Sequence, residues 1–222
     1  MRVVDLTQPL SPDTTPWPGE APLRASVAAT VPADGYYTRR VDLQEHVGTH
    51  FDAPAHFVAD GATVERVAAS RLVAPLRVVD VSGQASEDPD YAVTADDVHR
   101  MEREHGPLAP GDALLALTGW DAHLGDPARY VGDLRFPGFG ADGAALAVDR
   151  GLVGIGIDTL SVDRGCDEAY PVHLRTLPAG LWHLEGLVGL DLVPPSGAML
   201  VVGVPPLVGA SGFPARVLAL VP

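Results

Sequence analysis

Three histidines and an aspartate crowd into eleven residues, His46-Val-Gly-Thr-His50-Phe-Asp52-Ala-Pro-Ala-His56, and no other stretch restricts the fold of this chain as tightly. All four fall at even positions. In an extended chain side chains alternate between two faces, so even positions share one face and their groups converge. A helix would align His46 with His50 but carry Asp52 and His56 well round the cylinder. Val47, Gly48, Thr49 and Pro54 disfavour a helix in any case. The spacing predicts an extended segment as far as Asp52, turned by Pro54, with Gly48 leaving room beneath a bound ion. Imidazole and carboxylate suit Zn, Mn or Fe at neutral pH, and a catalytic ion keeps one position open for water. The alternative is an ordinary solvated strand. Four such residues at matched parity around a glycine weigh against it.

Elsewhere the pattern is mostly short strands. Arg2–Leu6, Leu23–Val31, Leu76–Val81, Ala113–Leu117, Leu152–Ile157, Met199–Val204 and Arg216–Val221 read as strands, and Tyr36–Phe51 as a long extended segment or half of a hairpin. Thr94, with Asp97 three residues on, begins a helix reaching about His105. Gly143–Arg150, stopped by Gly151, makes a second helix, and a third runs from near Tyr170 towards Leu177. No repeat, charge block or linker divides the chain, so residues 1–222 read as one α/β domain dominated by sheet.

Composition narrows the partners. Fifteen Lys plus Arg against 29 Asp plus Glu give a formal charge of −14, a poor match for a nucleic acid or an anionic membrane surface. The single Cys166 cannot form an internal disulfide, no apolar leader follows Met1, and no run of about 18 apolar residues could span a bilayer. A cytoplasmic location is expected.

The motif His46-x-Gly48-Thr49-His50-x-Asp52-x-Pro54-x-His56-Phe57 resembles the signature of the cyclase family of metal-dependent hydrolases. The likeness extends to Trp17-Pro18-Gly19, Thr118-Gly119-Trp120, Gly156-Ile157-Asp158-Thr159 with Ser161 and Asp163, the pair His173 and Glu185 twelve residues apart, and Pro214-Ala215-Arg216. It implies a swivelling β/β/α fold with a barrel-like sheet flanked by helices, and a homodimer or larger assembly. It also implies that His46, His50 and Asp52 hold one divalent ion and Asp52, His173 and Glu185 a second, with zinc the expected metal and manganese the alternative. His56 would be the acid/base residue and Trp17 an aromatic platform for substrate. Among the eight histidines, His99, His105 and His123 read as surface residues. His183 competes with His173 because it shares the strand face of Glu185; a strand-interior histidine is more often packed than ligating, which favours His173. Trp182-His183 departs from the apolar pair that usually precedes the family's glutamate.

Two decoys fall away. Gly138-Phe-Gly140-Ala-Asp-Gly143 matches a dinucleotide-binding pattern, but no strand precedes it and Asp142 would repel a pyrophosphate. No Gly-x-Ser-x-Gly elbow is present, and acidic neighbours argue against Cys166 as a nucleophile. The resemblance implies hydrolysis of a small aromatic amide. The first expectation is an arylformamidase converting N-formyl-L-kynurenine to L-kynurenine and formate, a step of tryptophan catabolism. The second is opening of a cyclic amide such as isatin, or action on a related secondary metabolite. A metal-binding protein without turnover is the third, and His56 speaks against it. Arg39 and Arg40 are the nearest cations for a substrate carboxylate, and Trp17, Phe51, Phe57 and Trp120 suggest an aromatic pocket.

Overall fold

A computed structural model describes all of residues 1–222. Its main sheet has nine strands, in the spatial order Arg2–Asp5, Arg216–Val221, Ala198–Gly203, Val73–Asp80, Ala113–Leu117, Gly154–Ile157, Trp182–Glu185, His50–Asp52 and Gly212–Pro214. The four strands from Val73–Asp80 to Trp182–Glu185 are parallel. Parallel neighbours need a long crossover, and the helices Ala95–His105, Ala141–Asp149 and Pro171–Thr176 lie in those three connections. The flanking strands are antiparallel.

The chain closes this sheet on itself. Gly212–Pro214 lies at one edge and Arg216–Val221 next to the other, yet only Ala215 separates them in sequence. A flat sheet of nine strands spaced about 4.8 Å apart could not be bridged by one residue, so the sheet curls into a barrel-like form. Alternation then divides the core. Phe51, Leu76, Val78, Leu115, Trp182, Leu184 and Val217 fill the inside, while Val79, Leu114, Ala116, Ile155 and Ile157 pack outward beneath Val98, Met101, Ala144 and Ala147 of the helices. No helix is long and apolar enough to cross a membrane.

Local expectations fare unevenly. Thr94 and Asp97 form a capping box, each side chain bonded to the other's backbone N–H. The second helix starts at Ala141, two residues before the position expected, and Gly151 follows it with φ +67°. The long extended segment Tyr36–Phe51 is not continuous. Thr38–Asp42 pairs with Arg24–Ala29 in a separate exposed hairpin, and only His50–Asp52 joins the main sheet. Trp182–Glu185 and Gly212–Pro214 carry no β-branched run or alternation long enough to mark them as strands.

Candidate metal centre

Strand register builds the middle of the site. His50 lies opposite Glu185 and Asp52 opposite His183 on antiparallel neighbours, so these four side chains leave one face of the sheet. Phe51 and Leu184, between them, turn into the barrel. Directly opposed residues stand about 4.5–5.5 Å apart at Cβ, which lets their side chains converge.

The other candidates arrive by turns. His46 is on no strand, contrary to the parity reading. Gly48 adopts φ +66°, and a Cβ there would run into Leu10 and crowd Thr14. The glycine therefore serves a left-handed turn packed against the N-terminal segment, not space beneath an ion. That turn brings His46 back over Asp52, with Nδ1 2.7 Å from Oδ1. His56 follows on the 3-10 turn Pro54–His56, which Pro54 initiates as expected. His173 sits on the short helix Pro171–Thr176. The structure thus gathers His46, His50, Asp52, His56, His173 and Glu185 into one cluster and adds His183, which sequence reasoning had set behind His173. The signal was its shared parity with Glu185.

Four rings are fixed from behind. His173 Nδ1 donates to Asp163 Oδ2 at 2.5 Å, and His50 Nδ1 to the Gly48 carbonyl at 3.0 Å. Ser211 donates its hydroxyl proton to Glu45, so its oxygen accepts from His46 Nε2 at 2.9 Å. Thr176 Oγ1 lies 2.7 Å from His183 Nε2. In each ring the other nitrogen points at the carboxylates. His50 Nε2 lies 3.3 Å from both Asp52 Oδ1 and Glu185 Oε2, and His173 Nε2 lies 3.6 Å from Asp52 Oδ2 and 3.5 Å from Glu185 Oε1. His183 Nδ1 is 3.6 Å from Asp52 Oδ2. Metal-binding histidines are held in this manner, the outer hydrogen bond choosing the tautomer that frees the inner nitrogen. The donor set fits divalent cations.

Charge is concentrated and mostly buried here. Burial opposes ionisation of Asp52, yet His46, His50 and the other imidazoles outweigh it and hold the carboxyl well below its usual range. Burial works against a charged His50 too, but Asp52 and Glu185 raise it well above the ordinary value. His173 is pushed up to about 10, its desolvation overcome by the hydrogen bond to Asp163 and then by Asp52 and Glu185. His56 behaves oppositely. Burial lowers it to about 4 against the pull of Asp52, and it is stacked on His46 with ring centroids 3.8 Å apart.

The residues between Asp158 and Asp163 support the cluster. Val162 N–H donates to Glu185 Oε1, and Asp163 accepts from the backbone of Val172 and His173 as well as from the His173 ring. Asp158 fastens Thr118 and Gly119, its carboxyl pushed up to about 7 by burial against those hydrogen bonds. The cluster opens into a cavity of about 250 Å³ lined by Trp17, His56, Phe57, Tyr130, Tyr170 and Ser161 among others. Two expected aromatics are elsewhere. Phe51 faces the barrel interior, and Trp120 packs with Tyr130 and Phe136. Arg39 and Arg40 lie on the exposed hairpin and do not line the cavity.

The sequence profile of the Cyclase family matches residues 4–164, ending before His173, His183 and Glu185. An isatin hydrolase from Roseibium aggregatum is 33% identical over 193 residues, 81% of this chain and 73% of that protein. A kynurenine formamidase from Bacillus mycoides is 30% identical over 214 residues, 96% of this chain and 94% of that protein. Among solved structures, an isatin hydrolase bound to the product analogue thioisatinate superposes with a TM-score of 0.94 at 30% identity, covering 99% of this chain and 92% of that one. A structure described as a potential metal-dependent hydrolase with cyclase activity gives 0.78 at 28% identity, covering 98% and 96%.

The raised His50 and His173 make a pH prediction. Both rings carry protons at neutral pH in the metal-free protein, so an entering cation must expel them. Zinc binding, measured calorimetrically in buffers of different ionisation enthalpy, should release protons, and affinity should rise with pH through the neutral range. Proton-neutral, pH-independent binding would contradict the assignment of these rings as ligands.

Proposed function

This chain belongs to the Cyclase family and is a metal-dependent hydrolase, and on that premise we propose that it hydrolyses a compact aromatic amide, with an uncharged cyclic amide of the isatin type preferred. The observation that carries the preference is the cavity wall. Trp17, Phe57, Tyr130 and Tyr170 supply aromatic surface, and none of the 16 lining residues is Lys or Arg. At about 250 Å³ the cavity falls below the roughly 300–1,000 Å³ of drug-sized sites, which suits one or two fused rings.

The roles follow from geometry. His46, His50 and Asp52 on one side, and Asp52, His173 and Glu185 on the other, would hold one or two ions, zinc foremost and manganese as alternative. Bound there, such an ion makes water a nucleophile at neutral pH and polarises a carbonyl oxygen. His56, neutral and facing the cavity, takes the water's proton and returns it to the departing nitrogen, which matters because an amine anion is a very poor leaving group. The water oxygen bonds to the carbonyl carbon as the C–N bond breaks, giving a carboxylate, an amine and one proton released to solvent. Trp17 stacks on the substrate ring. Burial raises the Tyr130 phenol, so it stays protonated in the cavity wall.

The second reading, an arylformamidase acting on N-formyl-L-kynurenine, draws on the formamidase relatives and on Glu20, a lining carboxylate that could meet an ammonium. It lacks a cation for the substrate carboxylate. The kcat/KM values for isatin, formanilide and N-formylkynurenine decide between them. Isatin should be preferred, and a clear preference for N-formylkynurenine would reverse the ranking. With the best substrate, His56→Ala should keep its metal and lose about 10²–10⁴ in kcat; a near-normal rate would remove the acid/base role.

We also propose a cytoplasmic homodimer. The hairpin of Arg24–Ala29 and Thr38–Asp42 leaves Val27, Tyr36, Tyr37 and Val41 more than half exposed. A lone two-stranded hairpin is marginal in water, which supports its burial on a second copy. Light scattering should give a dimer, and replacing Val27, Tyr37 and Val41 together by Ser should shift it towards monomer. A monodisperse wild-type monomer at micromolar concentration would contradict this.

A further inference from the structure

The roles assigned so far leave His183 without one. The parity that places Glu185 on the ligand face places His183 there too, and register sets it directly opposite Asp52. The ring is wholly buried, so whatever it meets is inside the protein.

Its hydrogen bonding fixes where its protons sit. The Thr176 hydroxyl has a single proton, which it donates to the Val172 carbonyl at 2.7 Å. The same oxygen lies 2.7 Å from His183 Nε2 and can act there only as an acceptor, so Nε2 carries the hydrogen. Nδ1 then presents its lone pair to Asp52 Oδ2, 3.6 Å away. Neither Nδ1 nor Oδ2 has any hydrogen-bond partner. Two buried acceptors turned on one another are costly unless they share a cation.

The surroundings complete a cage. His173 Nε2 approaches the same Asp52 oxygen at 3.6 Å and Glu185 Oε1 at 3.5 Å. One ligand atom from each of Asp52, His173, His183 and Glu185 lies within 4.8 Å of the others, and all four residues are buried. A tetrahedron with metal bonds of about 2.0–2.1 Å has edges of roughly 3.3–3.4 Å. The pairs His183–Asp52, His173–Asp52 and His173–Glu185, at 3.5–3.6 Å, need to tighten by only a few tenths of an ångström, and the remaining pairs, all within 4.8 Å, by up to about 1.4 Å. The opposite edges of the two carboxylates are different in kind. There His50 meets Asp52 Oδ1 and Glu185 Oε2, and His46 and His56 lie beside the cavity.

We propose that His183 is a fourth protein ligand, closing a cage of Asp52, His173, His183 and Glu185 around an inner ion. Four protein ligands leave no open position, so this ion is structural, and chemistry is confined to the ion that faces the cavity. The tight strand pairing of Asp52 with His183 is thereby explained: the cage crosslinks the His50–Asp52 strand, the Trp182–Glu185 strand and the Pro171–Thr176 helix. The inference rests on the metal-dependent hydrolase reading and deepens it.

The test is metal binding, independent of turnover. Protein stripped with a chelator is titrated with zinc against a chromophoric competitor, and in parallel with cobalt while the visible absorption is followed. Wild type, His183→Leu and Thr176→Val are compared, with thermal melts of each metal-free form to establish folding. Wild type should hold one ion tightly, with the intense visible bands of four-coordinate cobalt. In His183→Leu that affinity should fall by at least the roughly 10–100-fold that losing an outer partner produces, and the cobalt bands should weaken. Thr176→Val keeps the ligand but frees its ring, and should weaken the same ion by about 10-fold. An unchanged tight site and cobalt spectrum in His183→Leu would overturn the proposal while leaving a metal hydrolase. Should His183→Leu fail to fold, unchanged binding and spectrum in Thr176→Val would overturn it instead. Wild type that takes up neither metal would overturn the proposal and the hydrolase reading together.

Discussion

Asp52 and Glu185 are carboxylates on one face of neighbouring strands, with 0% and 5% of their surface exposed. Taking a charged carboxylate out of water costs several kcal/mol even after relaxation, and here two stand side by side. Positive charge must be supplied within reach of the pair, on which four imidazoles converge. In the metal-free protein, protons on His50 and His173 serve this need. A divalent ion would serve it better, since Asp52, Glu185 and the inner ring nitrogens are all donors suited to one. Most other features of the site follow from keeping that arrangement in register.

The fold meets the need by drawing distant segments together. Thr49 Oγ1 donates to the Gly186 carbonyl and accepts from Gln8 N–H, tying the motif strand to the end of the Glu185 strand and to the N-terminal segment. Ala215 bonds to the Thr49 carbonyl at the point where the chain passes from one edge of the sheet to the other. Ser211, just before the edge strand, orients His46. The curl of the sheet is thus part of the site's construction, since the residues that steady the motif come from both ends of the chain.

How much of this was legible in the sequence depends on how local its cause is. The capping box at Thr94 and the turn at Pro54 are decided by a few neighbouring residues, and both stand where they were expected. His50 and Asp52 share a face because their strand is real. The parity argument placed His46 beside them for the wrong reason: a left-handed turn at Gly48 brings it there, and the turn depends on Leu10 and Thr14 packing from far away in sequence. The strands Trp182–Glu185 and Gly212–Pro214 exist because partners wait on either side, not because their residues favour strands. His183 was visible only as a parity match, since its significance lies in a pairing with Asp52 across 131 positions of chain. Phe51 and Trp120 show the converse, aromatic residues beside the motifs whose rings serve the core.

Asp52 is the one charge that all four imidazoles approach. The most direct test of that role is equilibrium zinc binding to Asp52→Asn, which keeps the shape and removes the charge, measured beside the wild type with folding monitored by circular dichroism. Wild type should bind zinc tightly, and a folded Asp52→Asn should lose that binding at both positions. Zinc bound by Asp52→Asn with wild-type affinity and stoichiometry would contradict the account.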